Sequence, residues 1–89
     1  MDRYTVEFRL PQGGWADVHE AADRAREAAS ADDGVRFLRS VFVPEDDACF
    51  FLYEGASAQA VKAAATRARL GVVRVDEALR LDPDEEERT

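Results

Sequence analysis

An α+β fold built on one four-stranded antiparallel sheet is predicted by three features of this 89-residue sequence. Its segments read strand, helix, strand, strand, helix, strand. Both helical segments carry narrow alanine stripes, and a short acidic break joins the two middle strands. In so small a chain the compact solution is the ferredoxin-like split βαβ arrangement, βαββαβ, with both helices on one face. Such a chain buries only about 60–65% of its unfolded surface, so its core is modest. One domain over residues 1–81 and a disordered acidic tail at 82–89 are expected.

RYTVEFRL, residues 3–10, alternates as a strand should. Tyr4, Val6, Phe8 and Leu10 share one side; Arg3, Thr5, Glu7 and Arg9 share the other. PQGG at 11–14 breaks it. WADVHEAADRAREAAS at 15–30 has a helical period, with Val18, Ala21, Ala22, Ala25, Ala28 and Ala29 in one stripe. Asp17, followed three residues on by Glu20, reads as the N-cap of a capping box. Trp15 is expected to cap one end of the core, and ADDG ends the helix. VRFLRSVFV at 35–43 is the second strand. Strict alternation sets Val35, Phe37, Arg39, Val41 and Val43 against Arg36, Leu38, Ser40 and Phe42. PEDD suits a hairpin turn. ACFFLYEG at 48–55 follows, with Phe50 and Leu52 on one face and Cys49, Phe51 and Tyr53 on the other. Ser57 is a good N-cap for a second helix striped by Ala60, Val61, Ala64 and Ala68, which Gly71 ends. VVRVDEAL at 72–79 is the fourth strand.

Hydrophobic content of 46% with 35% charged residues excludes general disorder. The net charge is −7, and more than half of that excess sits in the tail DPDEEERT. Nucleic-acid binding needs a basic footprint, so it is excluded as a class. Cys49 is the single cysteine, which leaves no internal disulfide and no clustered-cysteine zinc site. The N-terminal stretch lacks the apolar core of a signal peptide, and no run approaches the roughly 20 apolar residues of a membrane span. A soluble cytoplasmic protein is expected. No phosphate loop or serine–histidine triad is present.

The middle strands offer large apolar groups to both faces, whereas the helices cover only one. Apolar area is worth about 25 cal/mol per Å² when covered, so the second face invites a partner. A second copy, sheet against sheet about a two-fold axis, is the simplest cover. The expectation is a homodimer through the open face, of the dimeric α/β-barrel type.

The segment VRFLRSVFVPEDDACFFLYEGASAQAVKAAATRARLGVVRV, residues 35–75, resembles the DUF4242 family of small bacterial proteins, and the first strand YTVEFRLP fits it too. The resemblance implies a ferredoxin-like dimer and a link to nickel, because the family includes a nickel-binding actinobacterial member. Arg39-Ser40, Tyr53-Glu54 and Arg74 match its pattern. Phe51 stands where the family often has Cys, Ala64 where it often has His, and Gly71 in place of Pro.

Candidate chemistry is sparse. His19, the single histidine, can approach a metal with Glu20, Asp23 or Glu27 on the same helix. Its plainer reading is a surface residue. Cys49 is a soft metal ligand in principle, and otherwise a small buried hydrophobe. Glu7, Arg39, Ser40, Tyr53 and Glu54 are candidates for a ligand pocket between sheet and partner, Arg39 for an anion and Tyr53 as a hydrogen-bonding group. Inter-strand ion pairs account for the same residues without a ligand. The leading functional reading is a non-catalytic dimeric protein that binds a metal ion or small ligand, with nickel implied by the resemblance alone. A cofactor-independent enzyme acting on a small apolar molecule, and an interaction module without a small-molecule site, are the alternatives.

Overall fold

The computed structural model describes residues 2–11, 13–30 and 34–78. Its elements are β1 (Asp2–Arg9), α1 (Trp15–Ser30), β2 (Val35–Val43), β3 (Ala48–Gly55), α2 (Ala58–Arg67) and β4 (Val72–Ala78), with a 3-10 turn at Pro44–Asp46 between β2 and β3. The strands form one antiparallel sheet in the order β2-β3-β1-β4. This is the ferredoxin-like α+β arrangement expected from the element order. The end of the domain at residue 81 and the acidic tail lie outside the described residues. Among those described, no helix is long and apolar enough to cross a membrane.

Directly paired residues share a face of a sheet, so the register can be read as rows running from β4 through β1 and β3 to β2. On the helix side they are Glu77–Tyr4–Tyr53–Phe37, Val75–Val6–Phe51–Ser40 and Val72–Phe8–Cys49–Phe42. The central residues of these rows are buried, and they meet Val18, Ala21, Ala22, Ala25 and Ala29 of α1 and Val61, Ala64 and Ala65 of α2 in one cluster. Small helix residues bring the helices close, and large sheet residues fill the space. Phe51 lies edge-on to both Phe8 and Phe37, with ring centroids 4.8 and 5.0 Å apart. Gly55 is required where α2 approaches β3, because a Cβ there would lie 2.7 Å from Val61 Cγ2.

Three local expectations change. The strict alternation of β2 fails at a bulge between Phe37 and Arg39. The extra residue turns the second half of the strand over, so Phe42 joins Val35 and Phe37 on the helix side. Trp15 stays exposed at 63% and packs edge-on to Phe42 at 5.7 Å instead of capping the core. Asp17 is not the N-cap of α1. The helix begins one turn earlier, and the Gly14 N–H donates to Asp17 Oδ2 at 2.9 Å, which is the N3 half of a capping box.

Ser57 does cap α2, accepting from the Ala60 N–H at 3.1 Å. That helix ends before Gly71. Arg69 takes the left-handed conformation (φ 59°), its N–H bonds the Thr66 carbonyl at 2.9 Å, and the Leu70 N–H bonds the Ala65 carbonyl at 3.4 Å. This is a Schellman closure with buried Leu70 as its apolar contact.

Candidate functional site

The rows on the other face are Ala78–Arg3–Glu54–Arg36, Asp76–Thr5–Leu52–Arg39 and Arg74–Glu7–Phe50–Val41, again from β4 to β2. No helix covers them. Phe50 and Leu52 on central β3 are half-buried, and Val41 beside Phe50 is 52% exposed. Charged groups frame this strip. The apolar patch differs from the one alternation of β2 suggested, because the bulge takes Phe42 to the helix side and brings Val41 to this face.

The carboxylates of this face already have partners. Glu7 meets Arg9 at 3.5 Å, Glu54 meets Arg3 at 3.9 Å, and Asp76 accepts from Arg74 Nε at 2.7 Å. Pairing with Asp76 and the nearby Glu7 charge raise the pKa of Arg74. Each pair has a solvent-exposed arginine, Glu7 and Glu54 are half-buried, and ion pairs at a surface contribute little to stability. Their effect is to set a pattern of charge around the apolar strip.

The seven candidate residues do not converge. Glu7, Arg39 and Glu54 lie on the open face, in three successive rows. Tyr53 and Cys49 are wholly buried on the helix side. Ser40 pairs with Phe51 and so belongs to the helix side, exposed near the sheet edge. Alternation alone separates neighbours such as Tyr53 and Glu54, so a pocket holding both is excluded. The Tyr53 hydroxyl has no hydrogen-bond partner. Burial pushes its pKa up to about 12 and that of the Cys49 thiol up to about 11. His19 is exposed on α1, on the opposite side of the sheet from the open face. Two of the three carboxylates considered with it pair elsewhere: Asp23 with Arg26 at 3.2 Å, and Glu20 with Arg24. As site residues, sequence reading passed over Arg3 and Asp76, and noted Arg74 only as a match to the resembled pattern. The alternation of β1 gave a signal for the first, while the register that brings β4 alongside it has no local sequence mark.

Comparison with known proteins adds one decisive match. The model of a family described as nickel responsive protein, SCO4226-like, covers residues 4–77. The chain belongs to the SCO4226-like family. Among solved structures it is similar to the crystal structure of SCO4226 from Streptomyces coelicolor A3(2), with a TM-score of 0.73, 25% sequence identity, and coverage of 90% of this chain and 99% of that one. No curated protein matches the sequence. The family is of the kind the resemblance in residues 35–75 pointed to.

Among the described residues of this SCO4226-like chain, the donors do not group as a resident nickel ion needs. Among the described residues no three His, Cys, Asp or Glu side chains are grouped as a metal site. A metal needs a deprotonated thiol, and burial holds Cys49 in its neutral form. Positions 51 and 64, where the resembled pattern often has Cys and His, carry the ring of Phe51 and the methyl of Ala64, both at 0% exposure.

Proposed function

We propose that this SCO4226-like chain is a small non-catalytic binding protein that works as a homodimer, its two open sheet faces apposed, and that it takes a small polar ligand among Glu7, Arg39 and Glu54. The open face carries this reading. Its centre is apolar at Phe50, Leu52 and Val41, its surround is charged, and an apolar core with a polar rim is the anatomy of a pairing surface. The layer directly beneath α1 and α2 is already filled by its aromatic rows. Arg39 brings a planar fork of donors that matches a carboxylate or phosphate.

Catalysis is left out of the reading for a chemical reason. The titratable groups of the buried cluster are the Cys49 thiol and the Tyr4 and Tyr53 hydroxyls, all shifted upward by burial and so poor acids or bases near neutrality.

Native mass spectrometry of the tag-free chain tests both halves. The expected result is twice the chain mass, with a retained small molecule that is lost in Arg39→Ala. Leu52→Glu places a charge in the middle of the apolar strip and should give single chains with an unchanged far-UV spectrum. Wild-type protein found as single chains at micromolar concentration refutes the proposal.

A further inference from the structure

We infer that this member of a nickel responsive family does not hold nickel through its own nitrogen and sulfur donors, either alone or as a dimer joined at the open face. The dimer half of the inference rests on the assembly proposed above. Nickel favours imidazole and accepts thiolate, and the side chains of those types are His19 and Cys49. Both lie off the open face. His19 projects from α1, beyond the sheet, and Cys49 sits at 0% exposure in the row Val72–Phe8–Cys49–Phe42. Two copies apposed through their open faces therefore keep both His19 side chains on the outside of the pair, away from its two-fold axis. The interface itself offers oxygen from Glu7, Glu54 and Asp76, and each of these is already neutralised by an arginine. A face so composed suits an anionic or zwitterionic organic ligand better than a divalent cation.

Two measurements on the tag-free full chain, stripped with a chelator, test the inference. In the first, nickel chloride is titrated calorimetrically and metal content is measured after gel filtration. The expected outcome is no saturable uptake and no shift in melting temperature. One-to-one uptake that is lost in His19→Ala or Cys49→Ala overturns the inference. In the second, a thiol-reactive chromogenic disulfide is added. Cys49 should be silent in the native protein and react fully in denaturant; prompt native reaction overturns the burial on which half the inference stands. Metal content and assembly mass are read separately. A nickel-free single chain refutes the proposed dimer alone, whereas a dimer loaded with nickel through His19 or Cys49 refutes this inference alone.

Discussion

Replacing Tyr53 by Phe should stabilise the protein. Tyr53 is the one fully buried side chain among the described residues whose polar atom lacks a hydrogen bond. Its ring packs edge-on to Phe37 at 5.6 Å, and phenylalanine can keep that contact. What the substitution removes is a hydroxyl taken out of water with nothing in return. A buried unsatisfied group costs about 1–3 kcal/mol, offset by the small void left where the oxygen was. A net gain of about 1 kcal/mol is expected. For a domain of this length that corresponds to a rise of roughly 4–8 °C in melting temperature. Differential scanning calorimetry, with urea midpoints at neutral pH, measures it. If Tyr53→Phe instead lowers stability by about 1 kcal/mol or more, the hydroxyl has a partner in solution. The account of the helix side as a dry, filled layer would then be wrong.

Two further outcomes follow from the same structure. The folded chain holds the protons of Cys49 and Tyr53 to about pH 11 and 12, whereas ordinary groups of these types release them near 9.0 and 10.0. At alkaline pH the unfolded chain therefore loses protons that the folded chain keeps. The stabilisation is complete below about pH 9 and declines as pH rises through about 12, and urea midpoints across that range should fall less steeply in Tyr53→Phe than in wild type. Arg69→Gly should raise stability by about 1 kcal/mol, because Arg69 closes α2 at φ 59°, where a side chain costs roughly that much and glycine nothing comparable. Chemical denaturation measures it, and an unchanged or lowered midpoint would mean that the Arg69 side chain makes compensating contacts.

Much of the fold was legible because its signals are local. The helical period marked α1 at Trp15–Ser30, alternation grouped Val6 with Phe8 on β1 and Phe51 with Tyr53 on β3, and Ser57 marked the start of α2. The register of β2 was not legible. Its bulge after Phe37 is decided by pairing with Tyr53 and Leu52 across the strand boundary, and VRFLRSVFV contains no glycine or proline to announce it. That one shift reassigned Phe42, Ser40 and Arg39 together. The site was half legible. Glu7, Arg39 and Glu54 proved to share the open face, but Tyr53 was credited with a ligand role on its polar tip while its strand position had already committed it to the core.

The alanine stripes bear on why the proposed binding chemistry is placed on the open face. Ala21, Ala22, Ala25 and Ala29 of α1 and Ala64 and Ala65 of α2 contribute almost no volume, so the layer between helices and sheet must be filled from the sheet. Phe8, Phe51, Tyr53 and Phe37 fill it as a contiguous aromatic run, and Gly55 is trimmed so that Val61 can settle against β3. Opening room there for a ligand means deleting an aromatic ring, at about 3–5 kcal/mol, in a domain whose whole margin is about 5–15 kcal/mol. No such cost attaches to the opposite face, where Phe50 and Leu52 are only half-covered, Arg39 is exposed, and Glu7 and Glu54 are half-buried. A family relative that bound a ligand beneath its helices would need smaller residues in the rows of Phe51 and Cys49; this chain has filled those rows and has its polar chemistry outside.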